Sequence, residues 1–304
     1  MSIENARNDR AEGLAGDGAD LGSEVVAGHF FAGTIGLSLI RSWYTDGDAN
    51  ERRLDELRDL INKRAEFPFS MALNPLERDA LEGYAEWAES YDGPNPMIDA
   101  EQLVVRPMLE RLASPGCDAL DVACGTGRHA ELLARLDCAT VGVDQSPEML
   151  EVARSKVPQV RFEVGTFSAL PLDADSFDLA VCSLALCHLP DPTVGVIEIA
   201  RVLRSGGTLV IADPHPMGAL GGGQAFYGGI VPNQPMKFVR NHPHSAATWL
   251  SAFRAAGLEV VDCVETLIDD SLLATNPTTM FFPEAARTAL IGLPHLFIWE
   301  LRKI

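Results

Sequence analysis

From about residue 118 onward, short apolar runs alternate with longer stretches in which apolar residues recur every three or four positions. The runs near 118–123, 139–143, 160–164, 178–183, 208–212, 259–267 and 295–302 predict strands, and the stretches between most of them predict helices. Strands alternating with helices imply an α/β fold with a parallel, doubly wound sheet. Ligands are then expected outside the carboxyl ends of the strands, where the strand order reverses. Upstream, Val25 to Trp43 and Ala49 to Glu66 predict two helices, the second with Leu54, Leu57, Leu60 and Ile61 on one stripe. Pro75 to Ser90 predicts a third, and Ile98 to Ala113 a fourth that lies against the start of the sheet. Residues 1–23 are rich in Gly, Ala, Asp and Glu without apolar periodicity and predict a disordered tail. The expected organisation is therefore a tail at 1–23, a helical appendage or lid at 24–95 and an α/β domain at 96–304.

Two segments interrupt the strand and helix alternation. Residues 214–244 carry Gly221-Gly222-Gly223, Gly228-Gly229, Phe226, Tyr227 and Phe238, a composition that predicts a mobile lid. Residues 269–294 carry Met280, Phe281 and Phe282. Together with the N-terminal helices, these insertions are expected to roof an apolar pocket for a small or medium organic molecule.

The first candidate chemistry lies in Leu120-Asp121-Val122-Ala123-Cys124-Gly125-Thr126-Gly127-Arg128-His129-Ala130, where an apolar strand ends in a Gly-x-Gly turn that opens a helix. Glycines let the chain turn sharply and present backbone amides to a nucleotide. Gly125-x-Gly127-x-x-Ala130 alone would also suit a dinucleotide fingerprint. Asp121 discriminates, since a carboxylate at the turn repels pyrophosphate but suits the amino group of a zwitterionic ligand such as S-adenosylmethionine. A second acid, Asp144, ends the run Val141-Gly142-Val143, seventeen residues after Gly127, where it can grip both ribose hydroxyls. Ser146 and Pro147 then open a helix that places Met149 near the ribose and adenine edge.

On these residues the chain resembles the class I S-adenosylmethionine-dependent methyltransferases of the methyltransferase domain 11/25 type, from about Tyr84 to the C-terminus. The stretches Val160 to Pro171, Ser176 to Ser183, Arg201 to Asp213 with its Gly206-Gly207 turn, and Trp249 to Val261 resemble the family's later strands and helices. The run His295 to Arg302 resembles its antiparallel seventh strand, inserted between the fifth and sixth. The resemblance implies a seven-stranded, mostly parallel Rossmann-like sheet. It also implies a cofactor site drawn from Tyr91, Asp121, Ala123, Gly125, Thr126, Gly127, Asp144, Gln145, Met149, Thr166, Phe167 and Ser183. Tyr91, in Tyr84-x-x-Trp87-Ala88-x-x-x-Tyr91-Asp92, resembles the family's aromatic segment that folds over the cofactor. Thr166 departs from the family, which usually has an acid there to accept from the adenine amino group; losing one hydrogen bond weakens binding by about 1 kcal/mol. S-adenosylhomocysteine is the implied product. His188, His242 and His244 are the candidate bases, since a neutral imidazole can take a proton near pH 7.

Composition narrows the acceptor. The 304 residues carry 43 Asp and Glu against 24 Lys and Arg, a formal net charge of −19, which opposes the electrostatic attraction that nucleic acids and anionic membranes rely on. The most apolar stretch, Val25 to Ile40, is too short and too broken by glycine to span a bilayer. Six cysteines without Cys-x-x-Cys spacing, and no secretory signal, imply reduced thiols in a cytoplasmic protein. Asp213, His215, His242 and His244 are potential ligand types, but their spacing fits no metal motif and no metal is expected. The reading is a small-molecule O- or N-methyltransferase of specialised metabolism, a homodimer being compatible with it. The alternative is a cyclase or isomerase of the same fold that binds the cofactor without donating its methyl.

Overall fold

The computed structural model describes residues 25–229 and 235–304. The expected tail at 1–23 lies outside the described residues, as do residues 230–234 of the first insertion. In chain order the elements are α1 (Ala27–Ser42), α2 (Gly47–Asn62), β1 (Leu76–Arg78), α3 (Ala80–Trp87), α4 (Pro96–Leu112), β2 (Asp118–Val122) and α5 (Arg128–Arg135). They continue with β3 (Ala139–Asp144), α6 (Pro147–Lys156), β4 (Arg161–Val164), β5 (Phe177–Ser183), α7 (Thr193–Val202), β6 (Leu203–Pro214), α8 (Pro216–Leu220), β7 (Ala225–Gly228) and β8 (Met236–Val239). The last are α9 (Ala246–Ala255), β9 (Leu258–Leu267), α10 (Pro283–Leu290) and β10 (Pro294–Lys303), with two single helical turns between β9 and α10.

Seven strands form one sheet in the order β4-β3-β2-β5-β6-β10-β9. All pairings are parallel except those of β10, which runs antiparallel between β6 and β9. The strand order reverses between β2 and β5, so a crevice opens at their carboxyl ends. Alternate residues feed two cores. Ala180, Cys182, Leu209, Ile211, Phe297 and Trp299 pack on one face, while Leu179, Val181, Val210, Ala212, Leu296 and Ile298 pack on the other. Helices cover both faces, which is why these strands read as nearly unbroken apolar runs.

Local chemistry sets the helix starts. Ser146 Oγ accepts from Met149 N at 3.2 Å with Pro147 in the first turn, and Asn95 Oδ1 accepts from Met97 N at 3.0 Å ahead of Pro96. Gly257, at φ +68°, ends the α9 segment and turns the chain into β9. The Gly206-Gly207 pair is not a turn before a strand, as expected, but an irregularity within β6, where the register against β5 shifts between Phe177 and Leu179.

Three expectations change. The segment 75–90 is not one helix: Leu76–Arg78 is a strand paired in parallel with β8, and α3 starts only at Ala80, capped by Asp79. The first insertion carries secondary structure of its own, since β7 and β8 form a hairpin that joins β1 in a separate three-stranded sheet. This sheet packs so closely on α3 that a Cβ at Gly83 would stand 2.5 Å from Val239 Cγ2. Finally, α1 and α2 do not roof the crevice with the second insertion; Phe31, Ile35 and Leu60 pack with Phe282 and Ala285 in a separate cluster, while Met280 is exposed.

Candidate active site

The turn after β2 carries three residues at positive φ: Ala123 at +53°, Gly125 at +51° and Gly127 at +80°. A Cβ at Gly127 would stand 3.2 Å from both Ala153 Cβ and Phe162 Cζ, so glycine lets the turn close on α6 and β4. Leu184, just past β5, is also left-handed at φ +55°, an uncommon state for a branched residue. Two of the five left-handed non-glycine residues among the described residues, Ala123 and Leu184, thus sit at the ends of the two strands that flank the crevice.

A cavity of about 830 Å³ opens above these strand ends. Ala123 and Gly125 line it from the turn, and Asp144, Gln145 and Met149 from the end of β3 and the start of α6. Thr166 and Phe167 line it from the loop after β4, and Ser183 from the end of β5. Tyr91 closes it; its Cε1 lies 4.0 Å from where a Gly125 side chain would begin. Asp144 Oδ2 accepts from Gly125 N and Oδ1 from Ser146 N, each at 2.8 Å, so each oxygen keeps lone-pair capacity. Burial raises the Asp144 carboxyl, opposed by the amides of Ser146, Gly125 and Gln145. At Thr166 the hydroxyl pairs with Ser168 Oγ at 2.9 Å, so no charge replaces the acid expected there.

The structure does not bring every predicted residue to this cavity. Asp121, Thr126 and Gly127 do not line it. Asp121 instead points into the protein, where its Oδ2 accepts from Ala130 N at 2.8 Å in the first turn of α5. Burial pushes its carboxyl up to about 6 against the pull of His129 and Arg128. Thr126 donates its hydroxyl to Asp92 at 2.6 Å, tying the turn to the Tyr91-Asp92 segment. Both residues shape the turn from behind.

Sequence reasoning missed Glu101. It lies on the buried stripe of α4 with Val105, Met108 and Leu109 and is fully buried. Glu101 Oε1 accepts from Ser183 Oγ at 2.8 Å and lies 3.0 Å from His129 Nε2, while Oε2 pairs with Arg128. Burial alone would raise this carboxyl, but His129 and Arg128 together hold it well below the ordinary range. The available signal was a charged residue at an apolar position of a helix, since such a group is buried only when paired.

A second cavity of about 580 Å³ adjoins the first and shares Tyr84, Tyr91, Leu184 and His188 with it. Its remaining wall comes from α3, α4, the end of β6 and the first insertion. At the junction, Tyr84 Oη lies 2.7 Å from His188 Nε2, and His188 Nδ1 lies 2.8 Å from the carbonyl oxygen of Arg240. A carbonyl only accepts, so Nδ1 carries the proton and Nε2 accepts from the Tyr84 hydroxyl. Desolvation holds the Tyr84 phenol well above its ordinary value and lowers that of the His188 imidazole. The pair is neutral at rest. Trp87 stacks between Tyr84 and Tyr227, with centroid separations of 5.8 and 5.1 Å, so the insertion holds the junction from outside.

His242 and His244 line neither cavity. The His242 amide donates to the Cys187 carbonyl at 2.7 Å, and His244 is buried edge-on against Trp249, near the Leu186 carbonyl. The second insertion, 269–294, reaches neither cavity. Of the cysteines near the crevice, Cys187 lines the second cavity, whereas Cys124 and Cys182 are buried beneath it. Among the described residues, no cluster of three His, Cys, Asp or Glu side chains is placed to hold a metal ion, and no helix is long and apolar enough to cross a membrane.

With this geometry in view, the chain was compared with known proteins. The family profile described as methyltransferase domain matches residues 120–211, from the middle of β2 to the middle of β6. Methyltransferase GfsG of Streptomyces halstedii is 38% identical over 145 residues, covering 45% of this chain and 52% of that protein. The ubiquinone biosynthesis O-methyltransferase of Xanthomonas axonopodis pv. citri is 31% identical over 184 residues, 56% of this chain and 75% of its own length. Thus the chain spans about half the length of GfsG and three quarters of the second relative. Among solved structures, an S-adenosylmethionine-dependent methyltransferase from Mesorhizobium loti shares the fold at 23% identity and a TM-score of 0.52, over 70% of this chain and 99% of that one.

Proposed function

Because the chain belongs to the class I S-adenosylmethionine-dependent methyltransferases, we propose that it methylates an oxygen or nitrogen of a small organic acceptor, with cofactor in the first cavity and acceptor in the second. The observation that carries this reading is the junction, where two cavities meet at a Tyr84–His188 pair with its tautomer set by Arg240. S-adenosylmethionine supplies an electrophilic methyl group on a sulfonium. The residues of the first cavity suit it, since the spare lone pairs of Asp144 can accept ribose hydroxyls and the faces of Tyr84, Tyr91 and Phe167 suit a cation. Among the lining residues, Phe167 and Thr166 would hold the adenine, Gln145 and Met149 the ribose edge, and Ser183 with Ala123 and Gly125 the amino-acid end.

The chain's own part in the reaction is alignment, exclusion of water and handling of one proton. The Tyr84 hydroxyl proton is committed to His188 Nε2, so its oxygen offers only lone pairs to the acceptor. An acceptor O–H or N–H donates to that oxygen. As the nucleophile attacks, its proton moves to Tyr84 Oη and the Tyr84 proton moves to His188 Nε2. The resulting imidazolium keeps its Nδ1–H on the Arg240 carbonyl. His188 is therefore a base acting through Tyr84, and His242 and His244 have no direct part. The acceptor chemistry is compatible with specialised metabolism, in keeping with a cavity wall built in part from an insertion.

Calorimetric titration with S-adenosylmethionine and S-adenosylhomocysteine tests the first half: micromolar binding of both is expected, and no binding to cofactor-free protein would overturn it. Mass spectrometry of reactions with hydroxylated and amino acceptors tests the second. One S-adenosylhomocysteine per methylated product is expected, and a converted product without it would favour the cyclase or isomerase alternative.

A further inference from the structure

The second cavity combines aromatic surface from Tyr84, Trp87, Tyr91 and Phe226 with three side-chain amides, Asn95, Gln224 and Asn241, of which Asn95 already accepts from Met97 N through Oδ1. Among the described residues it is lined by no Lys, Arg, Asp or Glu. Asn241 is 8% exposed, and its Oδ1 is fully covered without a hydrogen-bond partner among the described residues. Its backbone is held in place, since the Asn241 amide donates to Gln224 Oε1 at 2.6 Å and the neighbouring Arg240 carbonyl is engaged by His188 Nδ1. A buried amide oxygen without a donor is destabilising, and a satisfied one is not. The orphan atom therefore belongs to a side chain fixed in the wall of a cavity that carries four aromatic rings and no Lys, Arg, Asp or Glu.

We propose that Asn241 is the specificity residue of the acceptor cavity, which takes a neutral aromatic acceptor bearing a carboxamide or second hydroxyl and rejects one bearing a carboxylate. This rests on the assignment of the second cavity to the acceptor. A carboxamide or hydroxyl both donates and accepts, so it meets either end of the Asn241 amide. A carboxylate only accepts, leaves Oδ1 orphaned and brings a charge into a cavity with no cation to pair it. Ring stacking supplies affinity, while Asn241 decides which substituent is tolerated. At the other end of the same acceptor, Tyr84 receives the hydroxyl that becomes methylated.

Three matched probes test it on the full chain saturated with S-adenosylhomocysteine: 2-naphthol, 6-hydroxy-2-naphthamide and 6-hydroxy-2-naphthoate, titrated calorimetrically. The naphthamide is expected to bind about tenfold tighter than naphthol, the size of one net hydrogen bond, and the naphthoate weaker than both. Asn241→Leu should bring the naphthamide down to naphthol, with naphthol and S-adenosylhomocysteine affinities unchanged. If that variant does not fold, Asn241→Asp serves, and it should weaken the naphthoate further while sparing naphthol. A naphthoate that equals the naphthamide, a naphthamide preference that survives substitution, or no probe binding to the loaded protein would overturn the proposal. Failure of S-adenosylhomocysteine itself to bind would instead overturn the function on which it rests.

Discussion

The wall of the first cavity comes mainly from strand ends between Val122 and Leu189, whereas the second is gathered from α3, α4, the end of β6 and the insertion after it. In the first, backbone geometry does most of the positioning: left-handed Ala123 and Gly125, a Gly125 amide on Asp144, and a Ser146 cap. In the second, side chains do it, through the Tyr84–His188 pair, the Trp87 stack and the Asn241 amide. The difference teaches that the first wall is built by the sheet itself, while the second draws on loops that can change without disturbing it.

If the walls are separable, substitutions should divide cleanly between turnover and cofactor affinity. The largest effect belongs to the junction. Tyr84→Phe and His188→Ala should each lower the rate of S-adenosylhomocysteine release by roughly 10²–10³-fold, the usual size of one acid–base step, with S-adenosylhomocysteine affinity intact. Parallel loss of affinity would show that the cavities are one unit.

Next comes Asp144→Ala, which should weaken S-adenosylhomocysteine by roughly 1–3 kcal/mol in calorimetry and also lower the melting temperature, since the Gly125 and Ser146 amides lose their acceptor. Unaltered affinity would remove Asp144 from the ribose role.

Behind the second wall, burial pushes Asp213 up to about 7, offset only in part by Cys187 and the Ala185 amide. An unfolded Asp releases its proton near 3.9, so between about pH 4 and 7 the folded chain binds more protons and this group's contribution to stability falls as pH rises. Asp213→Asn should therefore be more stable than the parent at pH 8 by about 1–2 kcal/mol, with the gap closing near pH 4. Thermal melts across that range check it, and a gap independent of pH would mean that Asp213 titrates in the folded chain where it does in the unfolded one.

The smallest expected effect sharpens the cofactor side. Thr166→Asp restores an acceptor for the adenine amino group and should tighten S-adenosylhomocysteine by up to about 1 kcal/mol, read in the same titration. No gain would mean that the Thr166–Ser168 pair already fills that role.

The positions of the seven strands follow from residue patterns read along the chain, because strand burial imposes periodicity on neighbouring residues, whereas the antiparallel β10 between β6 and β9 followed only from the resemblance to the family. Likewise Gly125, Asp144 and Met149 were legible at the first cavity, since a strand end, a glycine turn and a capped helix are local features. Asp121 and Asp144 show where this stops. Both are acids near strand ends, yet one caps α5 inside the protein and the other faces the cavity. Side-chain direction relative to a packed helix is not written in local spacing.

The sequence by itself determined the fold class, the glycine turn after β2 and most of the strand-end wall of the first cavity, because each rests on residues within a few positions of one another. Only the tertiary structure decided that His188 meets Tyr84 across 104 positions, that Glu101 is held by Arg128 and His129, and that β1 pairs with the inserted hairpin. It also left His242 and His244 outside both cavities and brought Asn241 to the wall of the second. These pairings are long-range: whether a polar side chain ends at a cavity or in the core depends on partners that the chain brings together only when it folds.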